Sequence, residues 1–258
     1  MNKKKFMDKM SFQHENDISN IYDKIIVAQK TGRNVYTNEF YTPHVWKMIE
    51  NMEDQIGLSV SSYGIFENAE RRILVFSEGC HEEEYPVDLI KIATSSKFSK
   101  LCHRDYLGAL MSLGLKREKF GDLILQEDGC CYVACSRDIS QYIESSFTRV
   151  GNLSCKAHIM DLNNAEIPDY NFETEIIVVS SLRIDCIVSS ICNLSRSGGE
   201  ELVKKGRVQL DYFECDKKDR ILEYNSTITI RGYGKFKLLE KVGTTGKGRI
   251  KVLVKKFI

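Results

Sequence analysis

The sequence predicts an α+β protein built from separately cored pieces, and three observations predict it. Helical and two-residue hydrophobic periods alternate along the whole chain. With 258 residues and 42% hydrophobic content, the chain can bury more than one core. Charge is also divided, since residues 181–258 carry 17 Lys and Arg against 9 Asp and Glu, whereas residues 1–180 carry 20 against 27. A formal net charge of +1 thus hides an acidic front and a basic C-terminal piece, and only the latter is suited to phosphate.

Residues 1–83 are expected to form an N-terminal α+β region. Met1 to Lys9 is basic and polar and predicts a frayed start. Ile21, Ile25 and Ala28 at helical spacing predict a helix over Ile18 to Gln29. Thr42-Pro43 predicts a capped helix entry with proline at the first position, which carries Val45, Met48, Ile49 and Met52 inward. Ile56 to Phe66 and Arg71 to Phe76 alternate like strands, and Arg71-Arg72 suits salt bridges on a sheet edge.

Residues 84–170 predict a βαββαβ unit. Its elements are a strand over Val87 to Ala93, a helix over Asp105 to Leu113 and a strand pair over Asp122 to Gln126 and Cys130 to Cys135. A helix from Arg137 to about Val150 and a strand over Leu153 to Ile159 complete it. Antiparallel sheet packed by two helices follows. Such sheets read single-stranded RNA with aromatic side chains, but Gly129 to Cys135 offers a single Tyr, so no base stacking is assigned here. The basic loop Lys116, Arg117 and Lys119 is the candidate secondary RNA contact. His103-Arg104-Asp105 lacks the metal-binding Asn that a kinase loop needs five residues on, where Leu110 stands, and Asp105 is assigned to capping a helix.

Boundaries fall near Glu83 and Asn171, and residues 171–180 are expected to be a linker beside Pro168 and several acids. In the basic piece, residues 181–258, Ile184, Ile187, Val188 and Ile191 mark one face of a short helix, with Asp185 in its first turn. Asn193 to Ser197 supplies capping oxygens for a second helix that runs to Lys205 and stops at Gly206. Gly198-Gly199 should cost that helix roughly 2 kcal/mol relative to two alanines. Period two then returns at Val208 to Leu210 and Thr227 to Ile230. In the last hairpin Lys235, Lys237, Arg249, Lys251 and Lys255 alternate with Phe236, Leu238, Ile250, Val252 and Val254.

The run Leu182, Ser195-Arg196-Ser197, Leu202-Val203, Gly206-Arg207-Val208 and Ile230-Arg231-Gly232 resembles the S4 RNA-binding domain. It departs from that pattern at Gly199, at Asp211 and at Asn225-Ser226. Cys102 to Leu110 followed by Gly114 to Asp122 resembles the hallmark stretch of YlmH-type proteins, bacterial S4-domain proteins in which an N-terminal segment and an RRM-like domain precede the S4 domain. The fold class that follows is an N-terminal α/β segment, an RRM-like βαββαβ middle domain and a C-terminal S4-like domain of two short helices and a small sheet. The resemblance implies a cytoplasmic ribosome-associated binder that docks on rRNA of the large ribosomal subunit and on tRNA in stalled translation complexes.

A capped helix start directs backbone N–H groups at phosphate, and arginine adds a forked contact. Arg183, Ser195, Arg196, Ser197, Lys204, Lys205, Arg207, Arg231 and Lys235 are accordingly the expected RNA-binding residues. This reading requires Arg183, Arg196, Lys204 and Lys205 to share one surface unopposed by carboxylates.

The alternative is an RNA-modifying enzyme, of pseudouridine synthase or methyltransferase type, that uses the S4-like end as a handle. No G-x-G-x-x-G loop follows a strand, and no catalytic residue or cofactor is assigned. Nine cysteines without a C-x-x-C pair predict no metal site, with Cys80-His81 and Cys102-His103 as the one set of four ligands to weigh against buried thiols. The odd cysteine count suits the reducing cytosol, and no apolar run reaches membrane-spanning length, so no membrane partner is expected. A monomer is expected as well.

Overall fold

A computed structural model describes residues 2–10, 15–79, 84–95, 101–126, 128–164, 166–170 and 172–257 of the protein. It comprises two compact units, residues 1–169 and 170–258.

The first unit begins with α1 (Lys3–Lys9), α2 (Glu15–Thr31), β1 (Val35–Tyr36), α3 (Pro43–Glu50), α4 (Glu53–Ile56), β2 (Ser59–Tyr63) and β3 (Ile73–Ser77). The strands form an antiparallel sheet in the order β1-β3-β2. The expected frayed start is a helix instead. Asn2 accepts a hydrogen bond from the Lys5 N–H, and Phe6 and Met10, one turn apart, are both 0% exposed in a core with Ile21, Ile25, Trp46 and Phe76. A basic composition concealed two apolar anchors.

The unit continues through β4 (Val87–Thr94), α5 (His103–Met111), β5 (Phe120–Leu125), β6 (Cys130–Ser136), α6 (Arg137–Ser146), β7 (Arg149–Val150) and β8 (Leu153–Met160). All pairings are antiparallel in the order β5-β6-β4-β8-β7, and the four long strands stand as in a split βαβ unit. Helix α6 ends before the position expected. Phe147 turns extended and is buried, which frees Arg149-Val150 to pair with Leu153-Ser154 across a tight turn. Asp105 acts from inside α5, where its carboxylate accepts from the Cys102 N–H at 2.8 Å.

Among the described residues, Arg71 and Arg72 are held by carbonyls and a ring, where salt bridges on a sheet edge were expected. Arg71 donates to the carbonyls of Phe40 and Phe120, and its backbone N–H faces Asp122, which also accepts from the Glu70 N–H. Arg72 lies over the Trp46 ring, 4.5 Å from its centroid. Burial lowers the Arg71 pKa from its ordinary value, while Asp122 and Glu118 raise it.

The second unit comprises β9 (Phe172–Val179), α7 (Ile184–Ile191), α8 (Arg196–Lys204), β10 (Val208–Leu210), β11 (Phe213–Glu214), β12 (Thr227–Ile230), β13 (Gly234–Thr244) and β14 (Ile250–Phe257). Its six strands run in the order β11-β10-β12-β13-β14-β9. The expected linker at 171–180 is corrected here, because Phe172–Val179 pairs along its whole length with β14. Ile177 and Val179 turn inward, while Glu173 lies opposite Lys256, 3.7 Å from its ammonium, and Glu175 opposite Val254.

Helices α7 and α8 pack on one face of this sheet over Val208, Ile228, Ile230, Phe236, Leu238, Val252 and Val254. Their crossing depends on Gly199. A Cβ there would meet the Asp185 carbonyl oxygen at 2.6 Å and Ser189 Cβ at 2.8 Å. The glycine that looked like a cost in an isolated helix is what allows two backbones to touch. Gly206, at φ +63°, ends the second helix as anticipated.

Gly199→Ala should therefore lower stability by about 1 kcal/mol, because overpacking of roughly 1–3 kcal/mol exceeds the propensity gained; urea unfolding of the full chain checks the sign. In the first unit, Asp122→Ala should cost about 2–3 kcal/mol by leaving the Glu70 and Arg71 N–H groups without their acceptor. The same urea titration measures it.

Candidate nucleic-acid interface

The nine residues expected to bind RNA do not lie on a single surface. Arg183 and Arg196 converge on Asp185, whose side chain is 1% exposed. Arg183 holds it with a fork, Nε to Oδ1 at 3.1 Å and Nη2 to Oδ2 at 2.9 Å. Arg196 reaches the same carboxylate through Nε at 3.3 Å and stays 60% exposed. Arg183 is thus corrected from an RNA ligand to a structural cation. Desolvating a carboxylate is costly, and a fork from the neighbouring helix cap is the nearest compensation.

Lys204 and Lys205 also face carboxylates, Glu200 and Glu201, each one helical turn back. Lys218 joins Glu200 at 2.6 Å, and with Lys204 it holds that carboxyl down to about 2. Unopposed cations were expected, so this too is a correction. The physical difference is exposure, since surface i,i+4 pairs are worth only about 0.3–0.5 kcal/mol. A phosphate can displace them at small cost, whereas the buried Asp185 fork cannot be exchanged in that way.

Ser195 and Ser197 lie together at the start of α8. The Ser195 hydroxyl accepts from the Gly198 N–H at 3.2 Å and lies 2.9 Å from the Ser197 hydroxyl. Beside them is a cleft of about 550 Å³ lined by Ser189, Ser190, Asn193, Leu194, Arg196 and Arg249 among others, with no carboxylate in its wall. Arg249 was anticipated on the cationic hairpin but not as part of this site, because the last hairpin reaches α8 only through sheet pairing. At the other end of α8, exposed Arg207 and Arg231 are joined by a backbone hydrogen bond. Lys235 is separate, since it alternates with inward-facing Phe236 and projects from the opposite face of the sheet.

Sequence reading missed Lys217 and Arg220. The Lys218 and Arg220 carbonyls accept from the Asp185 and Ile184 N–H groups, which sets this basic turn against the start of α7. Its mixed run of acids and bases carried no periodic signal.

The secondary contact loop is largely withdrawn. Arg117 donates to the Phe120 and Gly121 carbonyls, and burial lowers its pKa to about 10. Lys119 pairs with Asp138. Lys116 alone of the three is exposed. The open face of the middle sheet instead aligns Lys91 opposite Tyr132, with the ammonium 5.4 Å from the ring centroid, and opposite His158, while Lys156 lies opposite Ala93. For the four-ligand metal set, Cys80 and His81 lie outside the described residues. No helix among the described residues is long and apolar enough to cross a membrane.

A split βαβ unit, followed in the chain by a helix pair on a basic antiparallel sheet, makes this an α+β protein of two separately cored units. The chain belongs to the YlmH family. Residues 80–164 match the family model described as "Putative RNA-binding domain in YlmH". The chain is 30% identical over 217 residues to the "Ribosome-associated protein quality control protein P2" of Bacillus subtilis (strain 168), covering 83% of this chain and 84% of that protein. Among solved structures, the "Cell division protein ylmH from Streptococcus pneumoniae" aligns with a TM-score of 0.49 at 21% identity, covering 58% of this chain and 96% of that one. The family model falls on the middle unit, the part to which sequence reading assigned no base stacking.

Burial raises the Asp185 pKa, but hydrogen bonds from Arg183, Cys186 and Arg196 outweigh it and hold the carboxyl below its ordinary 3.8. The stability it contributes is present above about pH 4 and is lost as pH falls through the depressed value. Asp185→Asn should cost about 2 kcal/mol at neutral pH and flatten that acid dependence, read by urea unfolding between pH 2 and 7 (roughly).

Proposed function

We propose that this protein is a non-enzymatic RNA binder that docks on structured rRNA of the large ribosomal subunit and on tRNA, in the handling of stalled translation complexes. The observation that carries the reading is the cleft at the start of α8, lined by Arg249 and by Arg196, which stays 60% exposed although Asp185 holds its Nε. Two guanidinium groups around a helix N-terminus suit a phosphate ridge of folded RNA, because charge and N–H dipoles add. Lys204, Lys205 and Arg207 extend the cationic track along α8. The quality-control role named for the Bacillus relative, which this chain matches over most of its length, supports the stalled-complex setting.

The ionisable groups of one cleft in the first unit are held by partners. That cleft contains Asp23, Lys24, Glu39 and Lys119, and each is already engaged. Asp23 pairs with Lys3, Lys24 donates to the Tyr36 carbonyl, Glu39 accepts from the Tyr41 hydroxyl, and Lys119 pairs with Asp138.

Arg196→Gln combined with Lys204→Gln and Lys205→Gln should reduce cosedimentation with large subunits about tenfold or more and lower the salt dependence of binding, with circular dichroism showing the fold retained because Arg183 still holds Asp185. Parental cosedimentation by this variant would show the proposed contact surface to be wrong.

A further inference from the structure

The face of the C-terminal sheet turned away from the helices carries an ordered row of rings and ammonium groups. Phe172 on β9 lies directly opposite Phe257 on β14, and Phe257 lies opposite Lys235 on β13. The Lys255 ammonium lies 3.5 Å from the Phe172 ring centroid and 5.5 Å from that of Phe257. Lys235 continues the row, 5.8 Å from the Phe257 ring and 4.6 Å from that of Tyr212, whose hydroxyl it contacts at 3.3 Å. Lys237 lies beside Lys255 in register. Their remaining register neighbours are Thr174, Thr227 and Thr229.

Two features distinguish it from an ordinary solvated lysine face. The rings are cross-strand neighbours rather than scattered, and Phe172 remains 48% exposed although Lys255 stands over it. Beyond it on the same strand, Ile176 and Val178 are 58% and 40% exposed. Flat π faces alternating with cations match an unpaired polynucleotide, whose bases stack while its phosphates seek positive charge. A base-paired helix has no free base faces to offer, and an acidic peptide would use the lysines but leave the rings without stacking partners.

We propose that this sheet face is a second RNA-binding surface, selective for a single-stranded segment of two or three unstacked nucleotides, with Phe172, Phe257 and Tyr212 as stacking platforms and Lys235, Lys237 and Lys255 as phosphate contacts. It is separate from the α8 cleft and does not rest on that reading. The two surfaces occupy opposite faces of one sheet, so a folded RNA could be held on the helical side while a loop or end is held on the other.

The test uses the full chain and two probes, a fluorescein-labelled short oligouridylate and a fully base-paired RNA hairpin, followed by anisotropy. Lys235→Gln with Lys255→Gln should weaken oligouridylate binding about tenfold and flatten its salt dependence. Phe172→Leu with Phe257→Leu should weaken it similarly without changing the salt slope, and tyrosine at both positions should restore it. All three should bind the hairpin within about twofold of the parent, while Arg196→Glu should lose the hairpin and keep the oligouridylate. Ultraviolet crosslinking of the parent to oligouridylate should label the peptides carrying Tyr212 or Phe257, a readout independent of variant folding. Parental oligouridylate affinity in both face variants, or crosslinks confined to other peptides, would overturn the proposal. So would a chain dimer that Ile176→Lys disperses without altering oligouridylate binding.

Discussion

A buried carboxylate organises the C-terminal unit. Asp185 accepts a fork from Arg183, a backbone bond from Cys186 and a further bond from a second cation, Arg196, and its own carbonyl oxygen lies where a side chain on residue 199 would sit. The helix start, the crossing of α7 and α8 and the orientation of the exposed arginine are therefore set at one place. A charge so far from water persists only with several partners, and those partners are the residues that shape the candidate interface.

That constraint sorts the cations by what they can do. Arg183 compensates a desolvated charge and belongs to the fold. Arg196 shares the carboxylate through one nitrogen and remains accessible, so it is both positioned and usable. Lys204 and Lys205 are held only by surface carboxylates, which exchange readily with phosphate. The first unit shows the same division, since Arg71 and Arg117 are consumed by carbonyl groups while Lys91 and Lys156 stand on an open sheet.

The functional reading combines these local facts with kinship. Family membership sets the protein beside a relative named for ribosome-associated quality control, and the family model draws attention to a middle sheet that lacks a full set of aromatics. Geometry adds the α8 cleft and the ring-and-ammonium row behind the last hairpin. Charge alone could not have separated the two, because both draw on the same basic 78 residues.

The sequence by itself determined the elements whose signal is local: the α7 stripe, the Ser195 cap, the Gly206 stop and the alternating strands of both units. It also carried the charge division and the family resemblance. Only tertiary structure decided what depends on partners distant in the chain. Phe172–Val179 became a strand because β14, more than seventy residues later, supplies its hydrogen bonds, and Gly199 became necessary because a neighbouring backbone approaches it. Arg183 and Arg117 lost their freedom to Asp185 and to backbone carbonyls, and Arg249 joined the α8 cleft through sheet pairing. Periodicity reports which side of an element faces a core, whereas the use of a charge depends on what folding brings beside it.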